Sequence, residues 1–109
     1  MQINAISNSG DAKEKSMSDN EQQFWDLVDE QIGSANEKTE TQEPSLVGDA
    51  MLYAAARFNV YLTAASATER KEFKDGLGET KAMLMAQFET MLDANLEDYL
   101  ENYKVFLGR

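Results

Sequence analysis

The chain contains no histidine and no cysteine. Histidine is the usual general base near neutral pH and the commonest metal ligand, so its absence removes Ser-His-Asp and Cys-His catalysis. Without cysteine there is no disulfide, and the usual zinc sites lose their donors. Carboxylate, Lys, Tyr or Ser/Thr chemistry and oxygen-only metal sites are what remain. Proline occurs once and glycine six times in 109 residues, which leaves room for long regular elements. No long apolar run is present, so a transmembrane helix is excluded. The N-terminus lacks the basic start and apolar stretch of a secretory signal, which leaves the bacterial-type cytoplasm as the expected location.

Positive charge is also scarce. Ten basic residues stand against twenty acidic ones, a net charge of −10. That balance opposes nucleic-acid backbones and anionic membrane surfaces alike, so neither is an expected partner. The ordinary role of such charge is solubility; the sharper alternative is an acidic protein that occupies a basic site on a partner. Apolar residues make up 42%, too many for a fully disordered chain, and the length fits one domain.

Residues 1–17 are polar and aperiodic, with Asn8-Ser9-Gly10 reading as flexible chain. We expect a disordered N-terminal extension there and a single helical domain over 18–109. Met17-Ser18-Asp19 looks like a natural start. A first helix is expected from Asp19 to Glu37, capped by Ser18 or Asp19, with Phe24, Val28, Ile32 and Ala35 as its stripe and Trp25 broadening it. A polar linker, Glu37 to Glu43, ends at Pro44.

The second helix, Ser45 to Ala65, takes Ser45 as N-cap and has a different composition. Leu46, Val47, Met51, Leu52, Phe58, Val60, Tyr61 and Leu62 surround it. A helix apolar all round is a buried one, so this should be either the central helix or one covered by a second subunit. Ala54, Ala55 and Ala56 would admit a close neighbour. Ser66-Ala67-Thr68-Glu69 fits a capping box, with Ser66 as N-cap and Glu69 reaching back. A long third helix follows on Phe73, Leu77, Leu84, Phe88, Met91 and Leu92. Gly76 and Gly78 invite a bend or a late start, and Asn95 could cap a break before Leu96, Tyr99, Leu100, Tyr103 and Phe106. One bent helix and two helices both fit. No period-two segment argues for a strand. The expected fold is all-α, a three- to four-helix bundle with a disordered N-terminal tail.

Charge follows the same division. Phe24 to Glu43 carries six acids and one base, Pro44 to Ser66 only Asp49 and Arg57, and Ala67 to Arg109 nine acids and six bases. A neutral segment flanked by charged ones is what an apolar helix between two amphipathic ones should show.

Three blocks carry a resemblance. They are Phe24-Trp25, Val28-Asp29, Ile32 and Ala35-Asn36; then Leu52-Tyr53-Ala54-Ala55-Ala56-Arg57-Phe58-Asn59; then Met91-Leu92 and Asn95 to Tyr103. Together they resemble a small proteobacterial family catalogued only as domain of unknown function 3144. The similarity spans about Phe24 to Tyr103, and its middle block is the most specific. The resemblance implies a short helical protein and no particular activity. Gly76 and Gly78 depart from the charged helix expected there.

Arg57 and Asn59 stand in an otherwise apolar helix. A buried Arg needs a carboxylate, and Asp26, Asp29, Asp93 and Asp98 are candidates. An internal ion pair that fixes helix register is the ordinary explanation; an anchor for an anionic ligand or a partner's carboxylate is the alternative. With Tyr53 and Tyr99 these give a candidate interaction or structural polar core of Arg57, Asn59, Asp29, Asp98, Tyr53 and Tyr99. The acidic clusters Asp26-Asp29-Glu30 and Glu97-Asp98-Glu101 lack EF-hand spacing, and a ferritin-like site wants His, so they read as solvated helix faces. Gly76-Leu77-Gly78 follows no strand, and Thr80-Lys81 reverses the phosphate-loop order. The Tyr99, Tyr103, Phe106 stripe lies among acids, which argues against nucleic acid and for packing or an interface.

No catalytic, cofactor or metal residues are therefore assigned. The expected role is a non-catalytic cytoplasmic interaction or structural protein with a protein partner, a homodimer being one form of it. The alternative is a binder of small anionic ligands, or a minor carboxylate-using enzyme, with Arg57 as anchor. An acidic mimic that blocks a nucleic-acid-binding protein is a third, with charge as its only support.

Overall fold

Five α-helices account for nearly all of the residues that the computed structural model describes, 19–109: α1 (Asp19–Lys38), α2 (Pro44–Ser66), α3 (Arg70–Asp75), α4 (Leu77–Glu101) and α5 (Tyr103–Leu107). No strand occurs among the described residues. The all-α class is the one the periodicity predicts. The expected extension 1–17, the start at Met17 and capping by Ser18 lie outside the described residues.

The chain divides into two units within α2, between Ala55 and Ala56. In the first, α1 has acidic residues in its first turn and Lys38 in its last, as its dipole favours. Its stripe is graded: Ala35 is buried, Trp25, Val28 and Ile32 are half-buried, and Phe24 is exposed. Phe24 and Trp25 meet edge-on, with ring centroids 4.7 Å apart. The connection is tightly hydrogen-bonded. Thr39 N–H donates to the Ala35 carbonyl at 3.1 Å, and Gln42 N–H to that of Lys38 at 2.9 Å. Ser45 does not cap α2. The helix begins one residue earlier with Pro44, where a missing N–H costs nothing, and the Glu43 carbonyl accepts from Leu46 and Val47 N–H. Val47 is buried.

The second unit holds the end of α2 and α3 to α5. Ser66 closes α2 instead of capping the next helix: its hydroxyl donates to the Thr63 carbonyl at 3.0 Å. The capping role falls to Thr68 and Glu72. Thr68 N–H and Oγ1–H donate to Glu72 Oε1 at 2.6 and 2.8 Å, so an acid in the first turn of α3 reaches back to the preceding chain. Glu69 makes no side-chain cap.

Two breaks divide what the periodicity leaves open as one helix or two. At Gly76 (φ −97°, ψ 7°) the N–H is shared between the Glu72 and Phe73 carbonyls, and α4 restarts with Thr80 N–H donating to the Gly76 carbonyl at 2.9 Å. Gly78 continues inside α4. Asn95 breaks nothing; its Nδ2 donates back to the Met91 carbonyl at 2.8 Å within an unbroken helix. The second break falls at Asn102, whose N–H and Nδ2 both donate to the Asp98 carbonyl, at 3.0 and 3.1 Å. α3 packs on α4 and α4 on α5. Tyr99 and Phe106 close the latter joint with ring centroids 4.6 Å apart. Gly108, at φ 75°, ends α5 in the left-handed region that glycine occupies without strain.

Candidate interaction surface

Among the described residues, little covers α2. Leu46, Leu52, Tyr53, Phe58 and Tyr61 are 57–68% exposed, and Met51, Val60 and Leu62 are exposed as well. This corrects the expectation of a central helix. The pattern reports that a helix belongs in apolar surroundings; it does not say whether the same chain supplies them. Phe58 and Tyr61 lie side by side, ring centroids 6.1 Å apart, as part of a broad apolar surface. Such surfaces mark sites of association.

The expected polar residues fall as follows. Arg57 is exposed, and among the described residues it forms no ion pair. Asn59 lies on the same helix, its carbonyl accepting from Thr63 Oγ1 at 3.3 Å. Tyr53 is exposed. Asp29 is half-buried, and its Oδ1 is shut off from solvent with no hydrogen-bond partner among the described residues. Leaving a carboxylate oxygen in that state costs free energy, because its water has no replacement. Asp98 is half-buried and accepts from Asn102 Nδ2 at 2.9 Å, so it serves the joint between α4 and α5. Tyr99 serves the same joint through Phe106. Thus Asp98 and Tyr99 are brought together locally, while Arg57 and Tyr53 stand on the open surface of α2.

The second unit also contains a shallow hollow of about 270 Å³ between the end of α2, α3 and the start of α4. Thr63, Ser66, Phe73 and Thr80 line it with two carboxylates, Glu72 and Glu79, and Arg57 is not on its wall. Thr68 holds the Glu72 carboxyl below its usual range, first through its N–H and then through its hydroxyl. With Glu72 and Glu79 and no basic residue on its wall, the hollow has the wrong sign for an anionic ligand. Among the described residues no three carboxylates gather as a metal ion would require. No described helix is long and apolar enough to cross a membrane.

Sequence reasoning missed the Thr68–Glu72 pair and the break at Asn102. The first had a signal, a Thr four residues before a Glu at a helix start. The second had only an Asn-Tyr step within an apolar periodicity.

A helical chain with one open helix of no net charge is the class that fold and surface define. The model of one family, described as Protein of unknown function (DUF3144), matches residues 24–100, and the chain belongs to that family. No curated protein and no solved structure matches it.

Proposed function

We propose that the protein is a non-catalytic interaction or structural module of the cytoplasm, and that it works by covering the apolar surface of α2 with a protein partner. The exposure of Leu52, Tyr53, Phe58 and Tyr61 on a helix with one acid and one base carries this reading. Leaving such side chains in water forgoes roughly 1.5–3 kcal/mol for each that a partner could bury. A family match from 24 to 100 crosses both units, which supports a single helical domain over 18–109.

Hydroxyl-radical footprinting tests the proposal. Tyr53, Phe58 and Tyr61 should react more slowly in the protein as it occurs in cells than in the dilute purified chain. Equal reactivity in both contradicts it. A thermal-shift screen against metabolites and divalent metals should show no stabiliser; a rise of several degrees with an anionic metabolite would favour the ligand-binding alternative.

A further inference from the structure

We infer that α2 pairs antiparallel with α2 of a second copy, about a two-fold axis at Tyr53. This rests on the interaction reading above and names the partner for the Tyr53 side of α2; Leu52, Phe58 and Tyr61 lie outside that sector. The face involved belongs to α2 alone, one continuous helix from Pro44 to Ser66. At about 100° per residue, Leu46, Asp49, Tyr53, Arg57 and Val60 point within about 40° of one direction, with Ala50 and Ala56 at the two edges of the sector, about 60° away.

That face is its own complement. A two-fold axis at Tyr53 places residue i of one copy opposite residue 106 − i of the other, as an isologous interface requires. Asp49 then meets Arg57, and Arg57 meets Asp49, so both charges of α2 are matched twice. Leu46 meets Val60. Ala50 and Ala56 fall at equal heights on the two edges of the seam, where their small side chains do not hold the helices apart. Tyr53 meets itself on the axis. Within one helix Asp49 and Arg57 are about 12 Å apart along the axis, too far to pair. Both are exposed, and among the described residues neither forms an ion pair.

Charge selects this helix over the other long one. α4 also exposes apolar side chains, among them Met83, Met85, Leu96 and Leu100. It carries six acids and one base, so two copies of α4 repel. α2 carries none in excess. A parallel, in-register pair would set Asp49 against Asp49 and Arg57 against Arg57, which like-charge repulsion disfavours.

Sedimentation equilibrium of the full chain and two charge variants tests the inference, with circular dichroism confirming that each variant keeps its helices. Wild-type protein should sediment as two chains at high concentration. Asp49→Arg alone and Arg57→Asp alone each set like charges across the axis twice, and each should weaken self-association roughly tenfold. Mixed together, the two variants should form a heterodimer at wild-type strength, because every facing pair is then opposite in sign. A one-chain mass for the wild type at all concentrations overturns self-association, while the footprinting difference still decides whether another protein covers α2. A dimer whose two variants fail to rescue each other overturns the antiparallel register.

Discussion

α2 and α4 are nearly equal in length, 23 and 25 residues, and both show large apolar side chains to solvent. They differ in charge. α4 carries Glu79, Glu89, Asp93, Glu97, Asp98 and Glu101 against Lys81, whereas α2 has one acid and one base. Apolar exposure alone therefore does not define a docking surface. On α4 the carboxylates keep the helix hydrated and oppose self-pairing, and its own chain supplies neighbours in α3 and α5. On α2 the charged groups are two, Asp49 and Arg57, of opposite sign.

The largest expected effect comes from making α2 resemble α4. Tyr53→Asp sets two carboxylates on the proposed axis, where like charges cost several kcal/mol, and should raise the dimer dissociation constant about a hundredfold or more. Met85→Asp, an equally exposed change on α4, should leave it within about twofold. Sedimentation of both variants decides, and equal losses would erase the distinction between the helices.

A smaller effect should follow at the glycines that mark the start of α4. A Cβ at Gly76 would lie 3.6 Å from the Glu72 carbonyl oxygen, an ordinary contact, and one at Gly78 would meet nothing within 4 Å. Neither glycine has a positive φ. Gly78→Ala should stabilise the chain by about 0.5–1 kcal/mol, and Gly76→Ala by no more than that, read as a rise in thermal midpoint. A fall on Gly76→Ala would mean that the break itself requires glycine. Neither change should alter self-association.

The smallest effect is the acid response of α3. Thr68 holds Glu72 below its ordinary value of 4.5. A carboxyl lowered in the folded state contributes stability that is complete above its unfolded value. That contribution fades as pH falls through the folded one. Protection of the Thr68 amide, relative to its intrinsic exchange rate at each pH, should fall on acidification through that range, and Glu72→Gln should lower that protection at neutral pH and flatten its pH dependence. α2, with no charged group besides Asp49 and Arg57, should show no counterpart near its C-terminal end.

Much of this architecture is legible in the residues. The 3.6-residue spacing of Phe24, Val28, Ile32 and Ala35 defines α1, and Pro44 marks the start of α2 to within a residue. The stretch from Pro44 to Ser66, with only Asp49 and Arg57 charged, identifies the helix that differs. What periodicity does not carry is competition between local hydrogen bonds. Ser66 could cap forward or close backward, and the Thr63 carbonyl won it; Asn95 could break α4 but bonds back to Met91, while Asn102 takes the break. Arg57 shows the other limit. A lone cation in an apolar helix points to a carboxylate, and the sequence offers Asp26, Asp29, Asp93 and Asp98 without deciding among them. Only its exposure on an open helix moves the search for a partner outside the chain.

The absence of cysteine makes the most direct test simple, because any cysteine introduced is the only one. Two full-length variants, Tyr53→Cys and Leu46→Cys, would be exposed to mild oxidation and resolved by size under denaturing, non-reducing conditions. Antiparallel pairing brings the two copies of position 53 together and holds the two copies of position 46 about 21 Å apart along the helix axis. The account predicts a covalent dimer for Tyr53→Cys and none for Leu46→Cys. Equal crosslinking at both positions, or a dimer at 46 alone, would contradict it.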